Sequence, residues 1–190
     1  MNPIIRLFYI EFMYRHSIAE MLLWGVLLTA FWLACAIYFA RPKCDQTVWA
    51  WVNRLLFVSC VVFILWYTIF DRSPGKHEIC LIPFDSFAVA RKNPFRYRTV
   101  VANVLLFVPF GLSMPFVLRH PLIPGSSGAR HPVRITLITA AVLSVVIETS
   151  QMVFRLGYCE TDDVIFNTAG AALGALAYVG YVRLTDNETT

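Results

Sequence analysis

Long apolar segments separated by short polar ones dominate the 190-residue chain. A transmembrane helix needs about 20 predominantly apolar residues. Pro109 and Pro115 fall inside one such segment, which membrane helices tolerate when their neighbours satisfy the freed carbonyl groups. The pattern predicts an all-α, polytopic membrane helix bundle of about five transmembrane helices. The predicted spans are residues 18–40, 48–70, 99–118, 133–154 and 163–182.

The chain begins with a shorter apolar segment. Residues 3–14 contain Arg6 and Glu11 and are too few to cross a bilayer, so we predict a short N-terminal interfacial helix there. We interpret residues 1–190 as a single membrane domain. The interfacial helix and the first two spans occupy residues 1–70.

Composition agrees with the membrane class. Hydrophobic residues make up 58% of the chain and charged residues 15%, whereas soluble domains carry about 25% charged residues. The net charge of +4 is not gathered into a basic stripe, so no nucleic-acid partner is predicted. The five cysteines form no CxxC pair and the four histidines lack ligand spacing, so no metal site is predicted from a motif.

Five spans place the two termini on opposite sides of the membrane. The loops at residues 71–98 and 155–162 then lie on the side of the N-terminus. Lysine and arginine residues slightly favour that side as cytoplasmic, but leaving out the long 71–98 loop reverses the preference. Charge alone therefore leaves the orientation open.

Polar residues recur at one depth on the side of the N-terminus. Three spans carry them within about two helical turns of the same membrane surface, and the two loops on that side add more. Ionisable groups at membrane depth are costly and usually mark a function. The candidate binding residues are Pro83, Phe84, Asn103, Glu148, Gln151, Glu160, Asp163 and Asn167.

Helical spacing indicates how these residues meet. Glu148 and Gln151 are three residues apart and share a helix face. Asp163 and Asn167 share a face with the GxxxG motif at residues 170–174, whose small residues permit close helix approach. We expect the fifth helix to pack against the fourth, with Asp163 and Asn167 facing Glu148 and Gln151.

Each polar residue also has a purely structural interpretation. The amides could join helices through hydrogen bonds, the GxxxG motif could serve internal packing or a dimer, and Asp162 or Asp163 could stabilise the first turn of the fifth helix. Glu148 resists this interpretation, because a carboxylate at this depth needs a cation, a strong donor or a proton. Candidate cations on the same side are Arg72, Arg96, Arg98 and Arg155.

Two cysteines fall in loops on the polar side. Cys80 precedes the Pro83-Phe84 pair and Cys159 precedes Glu160. If this side is extracytoplasmic, a Cys80–Cys159 disulfide is an expected feature.

Taken together, these motifs resemble the VanZ-like family of membrane proteins. The resemblance covers about residues 81–174, which we treat as a VanZ-like core. Cys80 stands where family members often have Asn, and Gly157-Tyr158 where many carry an arginine. The matching pieces are Leu-Ile-Pro-Phe at 81–84, Asn-Val-Leu-Leu-Phe-Val-Pro-Phe-Gly at 103–111, Glu148-x-x-Gln151, Glu160-x-x-Asp163 and Asn167-x-x-Gly170-x-x-x-Gly174.

The resemblance implies a multi-pass protein of the cell envelope linked to antibiotic resistance, through lowered susceptibility to teicoplanin-type glycopeptides. Such drugs act outside the cytoplasmic membrane. The resemblance therefore favours an extracytoplasmic N-terminus and polar face, and a cytoplasmic C-terminus. The expected partners are membrane lipids and either lipid II or a lipoglycopeptide.

Three functions remain open from the sequence. The polar face could bind a drug or lipid headgroup, with the basic residues at 91, 92, 96 and 98 contacting phosphate. It could instead form a membrane-embedded enzyme with Glu148 and Asp163 as candidate catalytic residues. Glu148 would then be a general acid or base, and Asp163 with Glu160 would orient it or hold a divalent cation, with no other cofactor expected. The third possibility is a structural scaffold.

Overall fold

The computed structural model describes residues 46–70, 79–92, 95–119 and 130–187, together with Arg72 and three isolated helical positions, Leu23, Leu27 and Ala30. Apart from those three positions, the predicted first span at 18–40 and the interfacial helix at 3–14 lie outside the described residues. The side chains of the basic residues at 91, 92, 96 and 98 also lie outside them.

The described residues form a helix bundle with one very small sheet. Four of its helices are long and apolar enough to cross a membrane, at Thr47–Phe70, Thr99–Arg119, Pro132–Val153 and Thr161–Leu184. This confirms the all-α membrane bundle. The elements are α1 (Gln46–Leu65) with a π-helical turn (Trp66–Phe70), β1 (Ile79–Cys80), α2 (Asp85–Lys92), α3 (Phe95–Arg119), α4 (Pro132–Val153), β2 (Cys159–Glu160) and α5 (Thr161–Asn187).

The two loops on the polar side are more structured than their sequences indicated. The first contains β1 and α2, and the second contains β2. The two strands pair in parallel, with Ile79 opposite Cys159 and Cys80 opposite Glu160. The pairing joins the segment before α2 to the start of α5.

The strand register separates the two cysteines predicted to form a disulfide. Residues opposite each other in paired strands point to the same face, and successive residues point to opposite faces. Cys80 therefore shares a face with Glu160, while Cys159 points to the other face with Ile79. A disulfide requires the two Cβ atoms to face each other, and both thiols are free in the structure. The predicted Cys80–Cys159 bond does not form.

Helix α3 lies at the centre of the bundle and makes its most extensive contact with α5. A Cβ atom at Gly170 would lie 2.0 Å from the carbonyl oxygen of Val104, and one at Gly174 would lie 2.1 Å from that of Val108. Glycine is needed here because the two backbones touch. The GxxxG face of the fifth span therefore packs against the third span, while the fifth helix also contacts the fourth, as predicted.

Apolar side chains fill the bundle in two clusters. One surrounds Phe107 and Phe110 of α3 and includes Ile64 of α1. The other lies at the opposite end from the polar loops and joins Trp49 of α1 to Phe116 of α3 and Tyr178 of α5. These clusters fix α1 and α5 on two sides of α3, so that the polar ends of the helices come together.

Candidate functional site

The polar face of α4 turns into the bundle. Ser144, Glu148 and Gln151 follow one another at helical spacing, and all three are buried. Val142 and Val146, on the other face, are more than half exposed, as lipid-facing residues are. Glu148 is only 4% exposed, so this carboxylate lies among protein groups instead of facing lipid.

A backbone donor holds the carboxylate of Glu148. The N–H group of Glu160 donates to Glu148 Oε2 at 2.9 Å. Glu160 lies in β2, whose position is fixed by its pairing with β1. The small sheet thus aims a backbone N–H group at the carboxylate, which is one of the strong donors that a buried carboxylate requires.

Arg72 supplies positive charge beside Glu148. Its guanidinium attracts the Glu148 carboxylate electrostatically, and its Nη1 atom lies 3.1 Å from the position a Cβ would take at Gly157. Gly157 has a φ of +141°, a conformation that suits glycine. Of the two candidate cations whose side chains the structure describes, Arg72 lies close enough to Glu148 to attract it, and Arg155 is exposed.

Gln151 ties the end of α4 to the end of α1. Its Nε2 atom donates to the carbonyl oxygen of Thr68 at 3.0 Å. Thr68 lies in the π-helical turn and donates through its own hydroxyl to the carbonyl of Ile64 at 2.7 Å. Sequence reasoning missed Thr68, because a π-helical turn leaves no mark in the hydrophobic pattern. Such turns are frequent at functional sites.

Asn167 joins α5 to α4 at the same level. Its Nδ2 atom donates to the hydroxyl of Ser144 at 2.8 Å, and Asp163, one turn earlier, lies close enough to Glu148 to repel it electrostatically. The polar end of α5 thus faces α4, as the spacing predicted, although its glycine face contacts α3. Sequence reasoning also missed Ser144, which its position four residues before Glu148 could have indicated.

Three of the predicted residues each keep one polar atom without a hydrogen-bond partner among the described residues. These atoms are Asn103 Nδ2 on α3, Gln151 Oε1 on α4 and Asn167 Oδ1 on α5. Buried polar atoms in folded proteins are nearly always satisfied, and exceptions call for an explanation. Helix joining by itself does not explain Gln151 and Asn167, since half of each amide has no partner among the described residues.

Asp162 holds the loop that precedes α2. Its carboxylate accepts hydrogen bonds from the backbone N–H groups of Phe84 and Ser86, the second at 2.8 Å. Ser86 lies in the first turn of α2, where N–H groups lack a partner within the helix. Asp162 was predicted only as one possible first-turn residue of the fifth helix, and its side chain serves a second helix as well.

The hydrogen bond that the Phe84 N–H group donates to Asp162 holds an unusual backbone conformation. Phe84 has a φ of +64°, which is strained for a bulky residue that is not glycine. Strain of this kind persists only where the surroundings enforce it, and it clusters at functional sites.

We define the rim of the site as residues 79–87, and Pro83 and Phe84 lie in it. Leu81, Ile82 and Phe84 are more than half exposed. Phe87 anchors the rim by packing its ring edge-on against Phe166 of α5, with ring centroids 5.6 Å apart. Exposed apolar residues at the ends of membrane helices suit the membrane interface, so we expect the rim to lie there.

The two loop cysteines differ in their surroundings. Cys80 donates from its thiol to Asp85 Oδ2 at 3.5 Å. Burial raises the pKa of the Cys159 thiol above its ordinary value, and the negative charges of Glu148, Asp163 and Glu160 raise it further. Cys159 thus reports on the charge of the site.

Metal binding receives no further support from the geometry. Within the ranges that the structure describes, no three His, Cys, Asp or Glu side chains are grouped in a way that could hold a metal ion. The divalent cation between Asp163 and Glu160 stays a prediction.

Comparison with known proteins gives two matches. The family model described as VanZ/LLP1 matches residues 26–183, which include every predicted site residue. Protein VanZ of Enterococcus faecium is 24% identical over 136 residues, which cover 67% of this chain and 73% of that protein. No solved structure matches the chain.

Proposed function

Because the chain belongs to the VanZ/LLP1 family, we propose that it lowers susceptibility to teicoplanin-type lipoglycopeptides by binding a headgroup at the membrane surface. The headgroup would be that of a lipid-linked precursor such as lipid II, or the drug itself. One observation carries the proposal: Glu148, Gln151 and Asn167 are buried in the bundle, and Asn103, Gln151 and Asn167 each keep one polar atom without a partner among the described residues.

The groups around Glu148 support binding because they are already held in place. Glu148 accepts the Glu160 N–H, Gln151 donates to Thr68 and Asn167 donates to Ser144. A site whose side chains are fixed before the ligand arrives loses little conformational entropy on binding.

The rim supports a ligand that arrives from the membrane. Leu81, Ile82 and Phe84 expose apolar surface beside the polar cluster, and Asp162 fixes their backbone through Phe84. A ligand with an acyl or prenyl chain can keep that chain against the rim while its headgroup enters between the helices.

Orientation is part of the proposal: the site would face the extracytoplasmic side. Exposed arginines at the opposite end support a cytoplasmic location for that end, namely Arg119, Arg130, Arg134 and Arg183. A membrane-impermeant maleimide added to intact cells should label Cys80. Labelling of Cys80 only after lysis would contradict this orientation.

The function is tested in a teicoplanin-susceptible host that expresses the full chain, wild type or Glu148→Gln. We expect the wild type to raise the inhibitory concentration and Glu148→Gln to abolish the effect at equal protein level. In purified protein, loss of a charged hydrogen-bond acceptor should weaken binding of labelled drug or lipid II by at least about tenfold. Thr149→Val is the matched control, because the Thr149 side chain bonds only within α4, to the carbonyl of Val145, and is exposed.

Two outcomes would remove the proposal. Unchanged susceptibility together with no binding of either labelled compound would exclude the headgroup site. Turnover of the labelled precursor that disappears in Glu148→Gln would instead identify a membrane-embedded enzyme, with Glu148 as its general acid or base.

A further inference from the structure

The unpartnered atoms of the site differ in hydrogen-bonding character. Gln151 Oε1 and Asn167 Oδ1 accept hydrogen bonds, whereas Asn103 Nδ2 donates them. Gln151 is 1% exposed and Asn167 3%, so water from the bulk does not reach either side chain freely. A ligand that fits must therefore both donate and accept at this depth.

The charge of the site restricts the ligand further. Glu148, Glu160 and Asp163 are all buried at this level, and the described cation that attracts Glu148 is Arg72, in the segment leading to the rim. A phosphate group presents only acceptor oxygens and negative charge. At the two amide oxygens it would find no donor, and it would be repelled by the carboxylates.

An ammonium group fails for the opposite reason. It would suit the carboxylates and the two amide oxygens, but it has no acceptor for Asn103 Nδ2. A hydroxyl group donates one hydrogen bond and accepts others. Hydroxyl groups can therefore serve both kinds of orphan atom, the two acceptors and the donor.

We propose that the part of the ligand that enters between α3, α4 and α5 is an uncharged sugar, bound through its hydroxyl groups. This rests on the proposed function, since it names the chemical class of the headgroup at the same site. Any phosphate of the same lipid stays at the membrane surface, outside the carboxylate cluster.

The test compares lipid probes that share their acyl chains and differ in the headgroup. The full chain is placed in phosphatidylcholine nanodiscs, and its thermal midpoint is followed by the fluorescence of its five tryptophans. The probes are glucosyl diacylglycerol, phosphatidic acid, an ammonium-headed lipid and plain diacylglycerol. We expect glucosyl diacylglycerol to raise the midpoint by about 3 °C, and each of the other three to leave it unchanged.

Variants then assign the effect to the orphan atoms. The pair Gln151→Leu and Asn167→Leu should abolish the shift caused by glucosyl diacylglycerol. Asn53→Leu is the matched control: Asn53 is a buried amide of α1 that donates to the carbonyl of Trp49, near the opposite end of the bundle. It should keep the shift. The comparison of probes in the wild-type protein needs no variant, so it stands even if the double variant does not fold.

Each other outcome overturns the inference. A larger shift with phosphatidic acid, or an equal one with the ammonium lipid, would reject the sugar while leaving a headgroup site in place. A sugar-dependent shift that survives in the double variant would place the sugar elsewhere. If no probe moves the midpoint, the sugar is excluded, and the susceptibility assay decides separately whether the proposed function stands.

Discussion

At the end of the bundle opposite the site the helices meet through aromatic rings, whereas at the site they meet through amides and carboxylates. At the opposite end, Phe116 packs edge-on against Tyr178, with ring centroids 4.7 Å apart, and against Trp49 at 5.9 Å. At the site end, Gln151 and Asn167 bond to a neighbouring helix through one half of the amide and leave the other half over.

The contrast shows how the bundle stays stable while its polar cluster keeps atoms that have no hydrogen-bond partner among the described residues. Packing of rings and small residues holds α1, α3 and α5 together over most of their length. The polar end is attached to this framework. The packing elsewhere can therefore offset the free energy lost by burying polar atoms that lack a hydrogen bond. Substitutions at the two ends of the bundle test this division.

The close seam between α3 and α5 should be the part of the fold that tolerates change least. Gly170→Ala would place a methyl group 2.0 Å from the carbonyl oxygen of Val104, and we expect a loss of about 2 kcal/mol or more in unfolding free energy. Gly180→Ala is the control in the same helix, because a Cβ there meets no described atom within 4 Å. Unfolding in mixed detergent measures both. Equal stability of the two variants would contradict the close contact.

The loop before α2 should loosen when Asp162 loses its charge. Asp162→Asn removes the carboxylate that accepts two backbone N–H groups, and we expect it to destabilise the loop by about 2 kcal/mol. Faster alkylation of Cys80, which lies in the same segment, measures the loosening. Thr168→Val is the control, because the Thr168 hydroxyl bonds within α5 to the carbonyl of Val164. An unchanged alkylation rate in Asp162→Asn would argue against the anchoring role.

Replacing an amide that has one unpaired polar atom should lower the free energy of unfolding less than replacing a fully hydrogen-bonded amide. We expect Asn53→Leu to lower unfolding free energy by about 1–2 kcal/mol, because it deletes a buried hydrogen bond to Trp49. Asn167→Leu should change it by less than about 1 kcal/mol, because the orphan oxygen disappears together with the bond to Ser144. Thermal or denaturant unfolding compares the two variants. A larger loss for Asn167→Leu would mean that Asn167 serves stability first.

The smallest effect is on thiol chemistry at Cys159. The negative charge of Glu148 contributes to the raised pKa of this thiol, so Glu148→Gln should lower that pKa. A lower pKa gives more thiolate at a fixed pH near 8, and a change of one unit alters that fraction about tenfold. We expect an increase in alkylation of Cys159 of less than tenfold, measured by peptide mass spectrometry. Thr149→Val should leave the alkylation rate unchanged. A slower rate in Glu148→Gln would contradict the expected decrease in the pKa of Cys159.

Several features of the site could be predicted from residue spacing. Glu148 and Gln151 belong to one helix face, and Asn167 lies one turn after Asp163, so their common level followed from the order of the spans. Other contributions could not be predicted. Thr68 belongs to a π-helical turn, which leaves no periodic mark in the sequence. Arg72 was predicted only as one of four candidate cations, and the structure was needed to bring it close to Glu148.

Hydropathy and 3.6-residue periodicity were enough to predict the membrane class, the second to fifth spans and the common helix face of Glu148 and Gln151. Contacts between distant segments decided which helix receives the face of Gly170 and Gly174, and strand register decided that Cys80 and Cys159 point apart. The tertiary structure also decided that Asp162 holds the rim. These outcomes depend on strand register and backbone contact between segments far apart in the chain, which local patterns do not encode.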